Sequence, residues 1–478
     1  MPPNFTPAQF NTNGNWGTGT GKIGSDTAVL LCGTFTGTAG QNNLLYFKGS
    51  GTSGHPIVLT CDPGTNITSP QWGGGSGAPV AVVSQSYVTL NGAGCTIQNT
   101  ANGSGLANNT YSTGIWISNA SNVLVENWTI ANICQHTSVS DHTGCVTSGN
   151  LPAAIITGGT NITVQGNTIH DSAYGIYHNA GTSDSGLIIS GNTTDRLNQH
   201  IVVATASSGQ AISGTRIFGN VMTNAVNWDD GVADTFHHNG VFIFQGSGGS
   251  ISDTQIYSNS IGGDFGVNDT SYIFIDPNGG TITGTLEFNN LLWNGSAVNG
   301  PANGFITSLG TGTGSAYNNT IFCNGVGQSA IKADGAAADT LKNNVISSCL
   351  VGIYVNNGTT LAASNYNIFY NLTGGSSAMY YAGTGYATLA AWTAGTGLDA
   401  NSITTNPLLN SNGTLQASSP AIGAGVNLTS LGITALDTDA AGVARPASGA
   451  WDIGAYQFIP GSSIFTGAVS MSGGVVSR

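Results

Sequence analysis

The sequence predicts an all-β chain: a right-handed parallel β-helix, a solenoid of stacked coils with a capping segment at each end. Three observations carry this reading. The composition suits short strands and tight turns, with 72 glycines in 478 residues and only 6% charged residues, yet 40% hydrophobic ones. A short motif, apolar-x-apolar-x-x-Asn-x-apolar, recurs through the middle of the chain. No amphipathic helical stretch separates its copies.

An average soluble domain is roughly a quarter charged and about 7% glycine, so a protein built on long solvated helices is excluded. The hydrophobic content excludes a disordered chain. The 8 Lys and Arg against 21 Asp and Glu leave a net charge of −13. Nucleic-acid binding needs basic patches, and none is present. Polyanionic polysaccharides meet the same objection, whereas neutral sugars or cations suit this surface. No apolar run reaches the ~18 residues of a membrane span. The opening MPPNFTPAQF is neutral and broken by proline, unlike a signal peptide. If secreted, this is a mature chain with a new initiator Met.

The motif copies read ITVQGNTI (162–169), LIISGNTT (187–194), TRIFGNVM (215–222), TQIYSNSI (254–261), TLEFNNLL (285–292), SAYNNTIF (315–322) and DTLKNNVI (339–346). Their marker asparagines, Asn167, Asn192, Asn220, Asn259, Asn290, Asn319 and Asn344, are spaced by 25, 28, 39, 31, 29 and 25 residues. An earlier copy, NVLVENWTI (122–130), places its marker at Asn127. Each copy is followed by a second apolar run: YGIYHN, HIVVAT, NGVFIFQ, SYIFID, NGFITSL, SAIKAD and VGIYVN. Two or three strands in so short a period form a coil, whereas a propeller blade needs four strands in about 40–50 residues. Asn at one recurring turn tolerates left-handed backbone and can hydrogen-bond its counterpart in the next coil. On this reading residues 1–78 are an N-terminal cap with the first coils, 79–375 the main helix, and 376–478 the last strands and C-terminal cap of one continuous domain.

The Asn ladder resembles that of the pectate-lyase-like superfamily of right-handed parallel β-helix proteins, over roughly residues 80–375. LLNSNGTLQASSPAIGAG (408–425) and DTDAAGVARPASGAWDIGAYQF (437–458) are similar to the closing segment of many secreted bacterial β-helix proteins. The resemblance implies that this segment folds against the last coil and covers its edge. It leaves the activity open, since that fold carries lyases, hydrolases, epimerases, adhesins and surface proteins alike. HHNGV is similar to a His-x-Asp-Gly-Ile segment of such proteins, with Asn239 at the acidic position. Of the twin-aspartate pattern of polygalacturonases only DDG (229–231) is present.

Cysteines at 32, 61, 95, 134, 145, 323 and 349 predict the disulfides Cys134–Cys145 and Cys323–Cys349, with Cys32–Cys61 as a weaker pairing. With so little lysine, they point to an oxidising, extracellular setting. Position +4 from the marker puts Asp171, Arg196 and Asn224 at one turn of successive coils, about 4.8 Å apart, with Asp171 paired to Arg196. The longest coil, Asn220 to Asn259, bears Trp228, Asp229, Asp230, Asp234, His237 and His238 on an insertion.

Paired carboxylates across a sugar perform glycoside hydrolysis. This nominates Asp230 and Asp234 as catalytic, with His238 tuning one acid or serving as base. Arg196, Trp228, Asp229, His237, His200, Tyr177 and Asp171 are the substrate-binding candidates. A uronate lyase would instead use Arg196, His200 or Tyr177 with a cation. A non-catalytic adhesin would hold these residues as scattered turn caps. No cofactor is expected, though Asp229, Asp230, Asp234 and Asp264 suit calcium. In CQHTSVSDHTGC (134–145) a zinc site of Cys134, His136, Asp141, His142 and Cys145 stands beside the simpler disulfide. That loop is expected to hang on the same side as the 223–239 loop. The expected partner is a polysaccharide; the oligomeric state is not legible.

Overall fold

A computed structural model of the chain describes residues 5–136, 145, 151–225, 228, 238–246, 248–266, 269–296, 298–310, 314–327, 329–335 and 338–460. It divides into two compact units, residues 1–216 with 227–236, and residues 217–226 with 237–478. Each is a stack of parallel strands, and the predicted right-handed parallel β-helix is the fold.

In the first unit, period-2 alternation turns one residue in two inward, and like residues stack in register. One inner row runs Leu59, Leu90, Val125, Val164, Ile189; another runs Leu45, Val80, Ile115, Ile155, Ile176, Ile201. Nearly all are sealed from solvent. The strands Thr168–Asn179 and Thr193–Thr205 are long because each turns a corner without losing its pairing. A capping box of Thr6 and Gln9 starts the short helix Pro7–Phe10. Phe10 then packs edge-on against Trp16 and Phe47. In the second unit the rows Ile261, Leu292, Ile321, Ile346, Phe369 and Val241, Ile273, Ile306, Ile331, Ile353 repeat the scheme.

The marker asparagines form the predicted ladder. Asn290 donates its backbone N–H and its Nδ2 to Asn319 Oδ1, both at 3.0 Å. Asn319 does the same to Asn344, and Asn344 to Asn367. Each Nδ2 also reaches a carbonyl of the preceding coil, as Asn319 does at Glu287 O, 2.8 Å away. The ladder ends where Asn367 donates to Ser402 Oγ and Asp399 Oδ1, while the Trp392 indole holds Asp399 Oδ2. In these rungs the left-handed residue is not the marker but the one before it: Gly166, Gly191, Gly219, Ser258, Asn289, Asn318 and Asn343. Asn127 belongs to that class (φ 61°), so the earliest copy is read one residue out of step. Trp128 occupies its rung and donates its N–H to Asn167 Oδ1.

The doubled asparagines of FNN, YNN and KNN mark where the C-terminal segment docks. Asn289 Nδ2 donates to Thr438 O, Asn318 Nδ2 to Asp452 O and Gly454 O, and Asn343 Nδ2 to Val426 O. Leu428, Leu436 and Trp451 cluster with Phe288 and Tyr317, and the Tyr257 ring packed against them stacks on that of Phe288. The segment therefore meets the last coils at Ile368 and Ile403 as expected, but also runs back as a strap along the flank of earlier ones.

Disulfides join Cys134–Cys145 and Cys323–Cys349 as predicted. The third is Cys61–Cys95 rather than Cys32–Cys61. Register explains the difference: Leu31, not Cys32, lies opposite Cys61. Cys32 is left exposed, with its thiol pushed up by a hydrogen bond to the Asp62 carboxylate. Among the described residues no helix is long and apolar enough to cross a membrane.

Candidate functional site

One turn of the first unit gathers Asp171, Asp195 and Arg196 with His170. Asp171 (φ 52°) and Arg196 (φ 55°) share the left-handed position of adjacent coils, an uncommon conformation for an arginine. Arg196 donates from Nε to Asp171 Oδ1 and from Nη2 to Asp171 Oδ2, both at 2.7 Å, the two-pronged geometry that suits a guanidinium to a carboxylate. A further Arg196 N–H reaches the Asp195 carboxylate, and His170 Nδ1 lies 2.7 Å from Asp171 Oδ2. Partial burial pushes the Asp171 carboxyl up, but Arg196 and His170 outweigh it and hold the group well below the usual carboxylate range. The Asp171 bond in turn raises the Arg196 guanidinium above its ordinary value. The result is a part-exposed ion-pair cluster centred on Asp171 and Arg196. In the second unit Asn224 takes the same turn position (φ 57°) and accepts the Asp264 N–H.

Two other predicted residues lie inside, while a third, Tyr177, is part-buried on the outer face next to the inner-row Ile176. His200 is fully buried with Nδ1 2.7 Å from Thr194 Oγ1. His238 is fully buried and donates from Nδ1 to Phe265 O at 2.9 Å. Tyr177 continues the row Trp116, Ile156, Tyr177, Val202, and burial first, then Tyr111, push its phenol up to about 12. A phenolate is scarce there at neutral pH. His178 and Asp184, 3.4 Å apart, fasten the turn by accepting the Gly159 N–H on Asp184 and by meeting Thr157 Oγ1 at His178 Nδ1.

The predicted loops contribute one described residue each to a contact, Trp228 and His136. Trp228, only 4% exposed, stacks on the His136 ring with centroids 4.7 Å apart. The root of the second loop is held by Asn102, whose Oδ1 accepts the Cys134 N–H. Because Cys134 and Cys145 are bonded to each other, neither is a thiolate for zinc. Asp141, His142, Asp229, Asp230, Asp234 and His237 lie outside the described residues. Among the described residues no three His, Cys, Asp or Glu side chains gather as a metal site; Asp264 accepts from Gly266 N and Asn299 Nδ2.

Two features of the second unit escaped sequence reading. Glu287 occupies an inner-row position between Ile256 and Ala316 and is fully buried. Asp339, also buried, accepts the Gly314 N–H at 2.6 Å. Burial, and for Glu287 also the Asp339 charge, push both carboxyls up, Asp339 to about 7. The folded chain thus holds a proton that the unfolded chain loses near pH 4. Stability from this pair is greatest in acid and declines as pH rises from about 4 to 7. Urea midpoints across that range are expected to fall for the parent protein. In Asp339→Asn, which keeps an acceptor for Gly314, that decline should shrink; an unchanged slope would refute the assignment. The second feature is a row of Lys332, Tyr354 and Tyr380 in register, foreshadowed only by the alignment of SAIKAD with VGIYVN.

No protein-family model matches the chain, and no curated protein matches it by sequence. Among solved structures it is similar to a double mutant of the tailspike protein of E. coli bacteriophage HK620 in complex with pentasaccharide. That match has 11% identity and a TM-score of 0.44, covering 72% of this chain and 69% of that one. A second HK620 tailspike mutant gives 11% identity and 0.44 over 79% and 71%. XylC in complex with xylose gives 10% identity and 0.35 over 82% and 66%.

Proposed function

We propose that the chain is an extracellular polysaccharide-active protein, and that it hydrolyses a neutral or weakly charged glycan with Asp230 and Asp234 as the carboxylate pair. The observation that carries this reading is the His136–Trp228 stack. It anchors the residue immediately before Asp229 and Asp230 against the unit that also bears the Asp171–Arg196 turn. In a chain with 29 acidic and basic residues, that concentration of charge beside two insertions is where acid–base chemistry has its groups. Parallel coils rising about 4.8 Å each offer a repeating surface to a linear polymer. Hydrolysis needs one carboxylic acid to protonate the leaving oxygen and one carboxylate to activate water or attack. Arg196 and Asp171 serve as hydrogen-bonding groups for sugar hydroxyls. The disulfides suit an oxidising compartment. A uronate lyase is the second reading; against it stand the buried His200, the high Tyr177 phenol and an Arg196 already committed to two carboxylates.

The test incubates the protein with neutral and uronic polysaccharides, following new reducing ends together with the ultraviolet absorbance of unsaturated uronates. Reducing ends without absorbance are expected. Asp230→Asn and Asp234→Asn should each lower that rate by about 10²–10⁴-fold. Absorbance would establish the lyase, and silence on every polymer the non-catalytic adhesin.

A further inference from the structure

The second unit has a cleft of about 380 Å³, within the rough 300–1,000 Å³ range of small-ligand sites. Its floor comes from three neighbouring strands, Ser329–Gly335, Val351–Val355 and Met379–Tyr381. Lys332, Tyr354 and Tyr380 lie side by side there in register, while their neighbours Ile331 and Ile353 are buried. The Tyr354 and Tyr380 rings stack with centroids 4.6 Å apart and planes within 5°, and Lys332 Nζ lies 5.8 Å from the Tyr354 centroid. Asn303, Ser329 and Ser377 complete the polar lining.

The chemistry of this lining narrows the ligand. It contains no histidine and no carboxylate, so it has no acid–base pair for catalysis. Lys332 is balanced by Asp334, 3.4 Å away, which is itself held by Asn356 Nδ2. A polyanion therefore gains little there and meets a chain of net charge −13. Lys332 Nζ donates to Asn303 Oδ1 at 3.0 Å, and an ammonium has three N–H groups, leaving donor capacity for a hydroxyl. Paired phenol rings, hydroxyls, an amide and a neutralised ammonium are what a pyranose recognises: apolar C–H faces for aromatic surface, and hydroxyls for short polar groups. Ala302 also lines an adjoining hollow of about 420 Å³. There Val298 and Leu350 are 82% and 37% exposed, so the apolar surface continues past a single ring.

We propose that this cleft is a non-catalytic binding site for a neutral oligosaccharide, distinct from the proposed hydrolytic carboxylates. Tyr354 and Tyr380 supply the aromatic surface, and Lys332, Asn303 and Ser377 bind hydroxyls. The site holds the polymer on the protein whether or not hydrolysis occurs.

The test is affinity electrophoresis of the full chain in gels containing a soluble β-glucan, arabinoxylan, galactomannan or polygalacturonate. Retardation by at least one of the three neutral polymers is expected. Tyr354→Ala combined with Tyr380→Ala should weaken it by about tenfold or more. Ala302→Trp fills the cleft from an exposed position without removing any of its groups. It should weaken retardation similarly, and it decides the matter if the tyrosine variant fails to fold. Three outcomes overturn the proposal: retardation by polygalacturonate alone, retardation indifferent to Ala302→Trp, or none by any polymer. Reducing-end release by the same variants reads the hydrolase separately, so the two proposals fail independently.

Discussion

Arg445→Met is expected to destabilise the second unit by about 3–5 kcal/mol, the scale for removing one partner from a buried charge group. Arg445 is 5% exposed and ties the strap to the coils. Its Nη2 donates to Asn289 Oδ1 at 2.8 Å and to Gly454 O at 3.1 Å, and its Nη1 to Gln457 Oε1 at 2.8 Å. Burial pulls the guanidinium down to about 10, against the opposing charges of Asp439 and Asp452. The group is thus held inside at a desolvation cost that its hydrogen bonds and those two aspartates offset. Methionine fills much of the volume but leaves the Asn289 and Gly454 oxygens without this donor and the aspartates without their cation. Arg445→Lys should recover little, because an ammonium cannot span acceptors set for a planar fork. The measurement is urea unfolding followed by tryptophan fluorescence, since Trp451 lies in the strap and its indole donates to Pro446 O. A midpoint shift equivalent to less than about 1 kcal/mol, the size of a surface ion pair, would sink the assignment.

What the sequence made legible follows the period of the coil. A side chain whose environment repeats every turn leaves a pattern, so the ladder and the second apolar runs could be read directly. So could the Asp171–Arg196 pair, since 25 residues is one uninterrupted coil. Where an insertion breaks the count, reading slipped: the loop before Asn167 hid that Trp128, not Asn127, takes the rung. Contacts without a period stayed hidden. The strap reaches Asn289, Asn318 and Asn343 from far along the chain, and only the doubling of Asn hinted at it. Glu287 and Asp339 are two coils apart, and nothing in TLEFNN or DTLKNN marks either carboxyl as buried. His200 and His238 read as polar groups in a polar stretch. Their burial is decided by which way the backbone turns after Arg196 and before Asn239, a parity that a single residue reverses.

Asn319→Ala tests whether the ladder is a stabilising device or only a convenient turn, and its expected cost is about 3–9 kcal/mol. Asn319 Oδ1 is the common acceptor for the backbone N–H and Nδ2 of Asn290, and its Nδ2 serves Glu287 O and Asn344 Oδ1. Alanine removes all four bonds. Two donors of Asn290 and the Glu287 carbonyl are then left buried without those partners, at about 1–3 kcal/mol each. Asn344 Oδ1 keeps the Asn319 N–H, so the loss falls mainly on the preceding coil. Asn319→Asp preserves the acceptor but turns a carboxylate oxygen toward Glu287 O and Asn344 Oδ1, and should be at least as costly. That comparison separates the hydrogen bonds from side-chain volume, since Asp and Asn are nearly the same size. Native-state hydrogen exchange locates the effect: the Asn290 amide should lose the most protection, with Val345, whose N–H bonds to Asn319 O through the backbone, affected less. If Asn319→Ala unfolds within about 1 kcal/mol of the parent, with Asn290 still protected, the coils stand on their apolar rows alone and the ladder merely follows them.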